Sequence, residues 1–329
     1  MKRIFLGIAV FAVLFSVGLF LSPKEDTHIR AVKRSQIALG TVIEIQVRHP
    51  DRDKADEAIS QAFAEIRRVE AQFTRQDSQS PIGRINRSET TSFSISPEIY
   101  DLMKQSEAFW RRTSGAFDAS LGAVIDLWGF SRGQGAVPAA SQLVKALKHS
   151  GWQHVRLEAD YLVRRTAAVQ FDFGAIAKGY AVDRAVAVLN RYGMADALVN
   201  AGGEIRSTGG TWFIGIAHPR KKGEMLRRLN LQNMAVATSG DYEQYFEKNG
   251  KRYHHILDPR TGWPAEGCQS VTVLAADDTT ADALATGLFV LGAEKAMRLV
   301  QGTPGVHALV VDRNGGIHIS PGFKAYLTD

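Results

Sequence analysis

Two adjacent imidazoles precede a carboxylate and a guanidinium in one short stretch, YHHILDPRTGWP at residues 253–264. His254 and His255 end an apolar, strand-like run, and Asp258 and Arg260 lie in the turn that follows. A neutral imidazole is a general base near pH 7, so this stretch is a candidate active site. A surface hairpin with polar residues at its tip is the alternative. Because neighbouring side chains on a strand point to opposite faces, only one ring can face a given ligand.

A glycine turn between a strand and a helix forms a second candidate site, in FDFGAIAKGYAVD at residues 171–183. An apolar strand ends at Asp172, Gly174 follows, and Lys178 lies one turn into the predicted helix. Free backbone N–H groups at such a helix start favour phosphate, and a lysine there adds positive charge. The spacing matches neither the Walker A loop nor the dinucleotide-binding fingerprint. The pattern leaves two interpretations, a phosphate site or a capped structural helix.

Hard oxygen ligands occur in TTADALATGLFVLG at residues 279–292. Asp282 and Thr286 are four residues apart, which places both oxygens on one side of a helix. A carboxylate and a hydroxyl suit magnesium or calcium, not zinc. Thr279 and Asp282 also fit a variant capping box, so capping is the alternative. Together with a phosphate site and a histidine base, a metal here would equip the protein for attack on a phosphoanhydride.

The elements that must position these residues alternate between strands and helices from residue 37 onward. Periodicity, caps and turn signals predict a strand at 41–47, helices at 52–73, 96–115, 175–192 and 280–300, and hairpins at 154–166 and 307–320. Strands that form hairpins as well as alternating with helices favour an α+β fold, with a layered mixed or antiparallel sheet and packed helices. The helices between 52 and 112 could form a subdomain of their own.

Composition excludes several protein classes. The chain has 329 residues, 45% apolar and 22% charged, which is ordinary for a folded globular protein. The net charge is +6, but no Lys/Arg-rich run with interleaved aromatic residues is present, so we expect no nucleic-acid binding. The single cysteine, Cys268, allows neither an internal disulfide nor a thiolate metal site.

The N-terminus predicts export. Lys2 and Arg3 precede an uncharged apolar run from Ile4 to Leu21, which is near the length that spans a bilayer as a helix. We expect residues 1–21 to be a signal or membrane anchor, 22–36 a polar linker, and 37–329 one globular domain. That domain is expected on the periplasmic face of the inner membrane, either anchored or released after signal cleavage.

Six stretches in order resemble the FAD:protein FMN transferases, the ApbE family: ALGT (38–41), GAFDASLGAVIDLWGF (115–130), DFGAIAKGYAVD (172–183), ATSGDY (237–242), HILDPRTGWP (255–264) and ADALATGLFVLG (281–292). The resemblance spans about residues 37 to 325. It implies magnesium-dependent transfer of FMN from FAD to a Thr or Ser hydroxyl of a target protein, with release of AMP. The acceptor implied is a membrane-bound or exported electron-transfer subunit. The alternatives are an FAD pyrophosphatase that gives FMN and AMP, and an anchored flavin-binding protein without chemistry.

The resemblance also implies roles for individual residues. His255 would be the base that takes the proton from the acceptor hydroxyl, with His254 pointing away from the flavin. Magnesium would be bound by the backbone carbonyl of Ala175 with Asp282 and Thr286. The residues implied in binding FAD are Leu39, where the family usually has methionine, Arg75, Ala116, Phe117, Asp118, Asp172, Lys178 and Ile256. Ala285 stands where some relatives carry an acidic residue, which puts a second metal ion in question.

Overall fold

An eight-stranded antiparallel sheet organises the protein in a computed structural model that describes residues 31–130, 135–166 and 169–328. The helices are α1 Arg52–Phe73, α2 Pro81–Arg87, α3 Pro97–Arg112, α4 Gly122–Trp128, α5 Ala140–Leu147, α6 Ala177–Arg191, α7 Asp278–Leu291 and α8 Ala293–Gln301. The strands are β1 Ala31–Ala38, β2 Thr41–Arg48, β3 Ser92–Ser94, β4 Val155–Leu157, β5 Leu162–Arg165, β6 Ala197–Ala201, β7 Glu204–Thr208, β8 Trp212–Ala217, β9 Met225–Leu231, β10 Ala235–Gly240, β11 Tyr245–Lys248, β12 Lys251–His254, β13 Cys268–Ala275, β14 His307–Asp312, β15 Ile317–Ile319 and β16 Leu327–Thr328.

The large sheet has the strand order β1-β2-β6-β7-β10-β13-β14-β15, and neighbouring strands run antiparallel. Smaller sheets are formed by β16-β9-β8, by β3-β5-β4 and by the hairpin β11-β12. The α+β class with a layered antiparallel sheet is therefore confirmed.

Apolar residues on the two faces of the large sheet enter different cores. Val199 belongs to the main core with residues of α1, α6 and α7, whereas its neighbour Leu198 packs with Trp212 and Leu229 of the small β16-β9-β8 sheet. This follows from the two-residue period of a strand. Because Ile59 and Phe63 of α1 share the main core with the sheet, the predicted separate subdomain of helices is wrong.

Helix starts agree with the caps in the sequence. The Asp51 side chain accepts a hydrogen bond from the Lys54 N–H at the start of α1, and Ser96 does the same for Ile99 at the start of α3. Both helices bury one apolar face, and α1 has the predicted bounds, 52–73. The predicted hairpins at 154–166 and 307–320 are confirmed as β4-β5 and β14-β15.

The single helix predicted at 280–300 is wrong. Two helices, α7 and α8, meet at Gly292, whose φ of 78° and ψ of 162° interrupt the helical backbone. Only glycine adopts such a conformation readily, and the apolar spacing continues across it, so periodicity did not show the break.

Only part of the N-terminal prediction falls on residues that the structure describes. The linker predicted at 22–36 overlaps β1, because residues 31–36 pair with β2 in the large sheet. The predicted signal or anchor at 1–21 and the linker residues 22–30 lie outside the described residues. Among residues 31–328 that are described, no helix is long and apolar enough to cross a membrane.

Candidate active site

The two histidines at the end of β12 enter different surroundings. His254 is buried, its Nε2 lies 2.9 Å from the Ala265 carbonyl oxygen, and its ring meets Phe289 edge-on at 5.5 Å between centroids. His255 is half-buried, and its Nδ1 lies 3.2 Å from the Gln244 carbonyl oxygen. The two rings therefore have different partners, as strand alternation leads one to expect, and His254 packs in the core.

The partner of His255 fixes its tautomer. A carbonyl oxygen only accepts, so Nδ1 carries the proton and donates it to Gln244, which leaves the lone pair on Nε2. Burial, and then the nearby Lys178 ammonium and His254, lower the pKa of His255 to about 4. The ring is thus neutral at pH 7 and able to accept a proton through Nε2.

The turn after the histidines is structural. Arg260 donates to the Asp258 carboxylate, with Nη2 2.7 Å from Oδ2, so these two groups neutralise each other. Gly262 has a φ of 72°, and its carbonyl accepts a hydrogen bond of 2.8 Å from Trp128 Nε1. Asp258 and Arg260 therefore shape the turn, as the hairpin interpretation requires, and Trp128 anchors it to the core.

The strand predicted to end at Asp172 is wrong, because residues 171–176 form a loop after an isolated bridge at Gln170, and this loop brings Asp172 and Arg75 together. Asp172 Oδ1 accepts from the Gly174 N–H at 2.8 Å, and its Oδ2 lies 3.4 Å from Arg75 Nε. Arg75 also binds both carboxylate oxygens of Asp126 at 2.9 and 2.8 Å. No side chain caps the start of α6, so the capped-helix interpretation is wrong.

Lys178 on the first turn of α6 pairs with a carboxylate that the sequence analysis did not single out. Its Nζ donates to Glu204 Oε1, and Glu204 is 2% exposed at the start of β7. The pKa of Lys178 is raised, since the attraction of Glu204, Asp282 and Glu243 outweighs burial. The signal for Glu204 was its place directly after Gly202 and Gly203, a pair that allows close backbone approach.

Asp282 on α7 joins this group through the neighbouring helix. Its Oδ2 accepts a hydrogen bond of 2.9 Å from the Gly179 N–H in the first turn of α6. Burial, and next the charge of Glu204, raise the pKa of Asp282 to about 7. The capping-box alternative is wrong, because the α7 cap is Asp277, whose side chain accepts from the Thr280 N–H.

The oxygens predicted to bind magnesium fit a hard cation. Asp282 is 3% exposed, and its Oδ1 accepts no hydrogen bond from the described residues. Thr286 Oγ1 lies 3.2 Å from Ser239 Oγ, so its hydroxyl also faces a polar neighbour. No group of three or more His, Cys, Asp or Glu side chains suited to a metal occurs in residues 31–328 as described. Asp282 and Thr286, four residues apart on α7, offer a carboxylate and a hydroxyl oxygen, which suit magnesium or calcium better than zinc.

The remaining predicted flavin contacts lie in different environments. Leu39 lies at the tip of the β1-β2 hairpin with a φ of 54°, and its N–H donates to Glu70 Oε1 at 2.8 Å. Asp118 Oδ1 accepts from the N–H and hydroxyl of Ser120, and burial raises its pKa to about 6. The other predicted contacts are buried in the core: Ala116, Phe117 and Ile256. Phe117 is fully buried, so only its backbone can meet a ligand.

Lys178 therefore lies within electrostatic reach of His255 and of three carboxyl groups, those of Glu204, Asp282 and Glu243. Transfer of a phosphoryl group needs a neutral base for the proton, a positive group for the phosphate charge and a carboxylate oxygen for a metal ion. His255, Lys178 and Asp282 are groups of these three types.

Comparison with known proteins agrees with this geometry. The model of the ApbE family matches residues 39–310. A protein of Treponema pallidum named FAD:protein FMN transferase is 32% identical, covering 96% of this chain and 93% of the relative. The crystal structure of an ApbE protein from Thermotoga maritima is 36% identical with a TM-score of 0.86, covering 91% of this chain and all of that one. The flavinyl transferase ApbE of Pseudomonas stutzeri is 29% identical, with a TM-score of 0.79, covering 90% of this chain and 96% of that one.

Proposed function

The chain belongs to the ApbE family and is a flavin transferase; we propose that it moves FMN from FAD to a Thr or Ser hydroxyl of an acceptor protein and releases AMP. The observation that carries this proposal is the His255 ring. Its proton is committed to the Gln244 carbonyl, which leaves Nε2 free, and the ring lies within electrostatic reach of Lys178. A base oriented by a second group is the arrangement that activates a hydroxyl nucleophile.

The proposed reaction is a phosphoryl-group substitution. Nε2 of His255 takes the proton of the acceptor hydroxyl, and the hydroxyl oxygen bonds to the phosphorus on the FMN side of FAD. The bond from that phosphorus to the bridging oxygen breaks, and the oxygen leaves with AMP. Lys178 balances negative charge on the diphosphate, since its ammonium is held in place by Glu204. His255 then returns its proton to solvent, which its low pKa favours.

Magnesium is part of the proposal. The Ala175 carbonyl, Asp282 and Thr286 would hold the ion, and when bound it would neutralise charge on the phosphates. The support is the cluster of carboxyl groups at Asp282, where Glu204 and Glu243 lie within electrostatic reach of one ammonium group, Lys178. Two of the residues implied in binding FAD, Arg75 and Asp172, form an ion pair at the turn before α6.

The decisive experiment adds FAD and magnesium to the protein with a candidate acceptor taken from exported or membrane-bound electron-transfer subunits. Intact-mass spectrometry should show one FMN group on the acceptor, with an equal amount of AMP in solution. AMP with free FMN and an unlabelled acceptor would instead identify an FAD pyrophosphatase. Bound FAD with no AMP would identify a flavin-binding protein. Either result would overturn the proposal.

We also propose that the globular domain acts at the periplasmic face of the inner membrane, held there by residues 1–21 or released after cleavage. The support is the apolar run behind Lys2 and Arg3. Protease added to spheroplasts should degrade the domain, and full protection of an intact domain would contradict this location.

A further inference from the structure

The outer face of the small β16-β9-β8 sheet exposes two large apolar side chains. Phe213 of β8 is 63% exposed, and Met225 of β9 is 50% exposed. Trp212, the neighbour of Phe213, is buried in the core beneath the sheet, so Phe213 points away from that core. A Cβ on Gly215 would lie 2.7 Å from Met225 Sδ, which places the methionine side chain two residues from Phe213 on the same face of β8. The two side chains therefore form one apolar patch, the Phe213/Met225 patch.

The turn between β8 and β9 adds positive charge beside this patch. Residues 220–228 hold five Lys or Arg residues and one carboxylate, Glu224. Arg220 is committed to both oxygens of a buried carboxylate. Lys221 and Lys222 lie in the exposed turn, and Lys221 is 3.4 Å from Glu224, which is itself 60% exposed. Exposed apolar side chains beside lysines are typical of a surface that binds anionic lipid head groups.

The N-terminal chain enters the domain beside the same sheet. Ala31, where the described part of the chain begins, is the Cα partner of Arg48 in the β1-β2 pair. Arg48 Nη1 donates to the Thr211 carbonyl at 3.2 Å, and its Cζ lies 3.8 Å from the centre of the Trp212 ring. The start of β1 therefore lies next to the start of β8, where Phe213 follows Trp212.

The length of the chain before β1 limits how far the domain can lie from a membrane. Nine residues, 22–30, separate the end of the apolar run at Leu21 from Ala31. A fully extended chain spans at most about 3.6 Å per residue, so Leu21 lies within about 36 Å of Ala31. If the apolar run is held in the inner membrane, the side of the domain at Ala31 and β8 is therefore held close to the lipid.

We propose that the Phe213/Met225 patch and the lysines of the adjoining turn bind the membrane surface at anionic lipid head groups. This inference rests on the membrane location proposed above. In this orientation α6 and α7, which carry Lys178 and Asp282, lie on the far side of the large sheet, because they pack on its other face. The catalytic groups on these helices therefore point away from the lipid.

The test measures the accessibility of a spin label on the full chain, reconstituted in phosphatidylcholine vesicles with or without about one-third phosphatidylglycerol. Met225→Cys carries the nitroxide, and the native Cys268 stays unlabelled because it is buried. Collisions with a water-soluble nickel complex report the ratio of shielded to exposed label. Each of the two lysines near an anionic surface contributes about fivefold, so phosphatidylglycerol should raise this ratio by about 25-fold. Lys221→Gln combined with Lys222→Gln should remove most of that rise.

A matched control and a second variant separate charge from apolar contact. Val144 of α5 is 57% exposed and lies beside two exposed lysines, Lys145 and Lys148, but α5 packs in a different core. A label at Val144→Cys should stay accessible to nickel in both kinds of vesicle. Phe213→Ser keeps every charge and removes apolar contact, so it should lower the shielding of the Met225→Cys label by about tenfold.

The outcomes distinguish this inference from the proposed location. A full chain that does not float with vesicles of either kind would overturn the membrane location and this inference with it. A chain that floats while the Met225→Cys label stays accessible in both lipids would overturn the binding face alone. Equal shielding in both lipids would show that protein covers the patch, either residues 1–30 or a second copy, and would also overturn it.

Discussion

Replacing each histidine of the pair by alanine should give opposite phenotypes. His255→Ala removes the base but little packing, since the ring is half-buried and bonded only to the Gln244 carbonyl. We expect the rate of FMN transfer to fall by about 10²–10⁴-fold, or roughly 3–5 kcal/mol in the barrier. The loss of stability should stay below about 1 kcal/mol, the net value of one hydrogen bond.

His254→Ala should destabilise the protein and spare the chemistry. Its ring is 6% exposed, packs against Phe289 and binds the Ala265 carbonyl. Removing a buried ring with one hydrogen bond costs about 3 kcal/mol, which lowers Tm by roughly 6–12 °C in a protein of this size. The folded fraction should transfer FMN within about tenfold of the wild-type rate, because the ring faces away from Lys178.

The assay is single-turnover transfer of FMN to the acceptor at saturating magnesium and FAD, below the melting transition of each variant. Calorimetry supplies Tm, and flavin fluorescence supplies FAD affinity, which both variants should retain. If His254→Ala is stable and inactive while His255→Ala is active, the assignment of the base is wrong. If both are active, the stretch at 253–264 is a structural hairpin.

Three further predictions follow from the same centre. Asp282→Asn keeps an acceptor for the Gly179 N–H but removes the charge, so magnesium-dependent transfer should fall by at least about 10²-fold with an unchanged Tm; full activity would remove Asp282 from the metal site. Gly179→Ala should lower the free energy of unfolding by about 1–3 kcal/mol in urea, because a Cβ there would lie 2.2 Å from the Asp278 carbonyl oxygen. Gly302→Ala is the control and should be neutral, because the nearest atom to its Cβ lies at 3.6 Å. Protons compete with the cation for Asp282, whose pKa is about 7. Magnesium affinity should therefore fall about tenfold for each pH unit below 7 and level off above pH 7. Equal affinities at pH 6 and pH 8 would contradict this.

Local signals in the sequence predicted most elements correctly. Regular apolar spacing and an Asp cap fix α1, and Ser96 and Pro97 fix the start of α3. The break between α7 and α8 was missed because it depends on the backbone angles of Gly292, which leave the apolar period intact. The sequence also allows a capping box at Thr279, and only the structure excludes it, because Asp277 caps α7.

The sequence indicates which chemical groups form the site, but it does not indicate which residues contact them. His255, Lys178 and Asp282 stand in short stretches whose residue types indicate a base, a phosphate contact and a metal ligand. Glu204 was missed because it pairs with Lys178 across 26 positions of sequence, and no local pattern links the two. Phe117 was expected near the flavin, and only packing shows that its side chain is core.

The sequence by itself determined the family, the α+β class and the histidine on which the chemistry is proposed to depend, because motifs and caps are properties of neighbouring residues. The tertiary structure alone decided which charges share one centre. Contact between α6, α7 and β7 places Lys178, Asp282 and Glu204 together, and that contact depends on Gly179 leaving room for α7. Electrostatic energies depend on distance and burial in three dimensions, so neither the low pKa of His255 nor the raised pKa of Asp282 was available from sequence order.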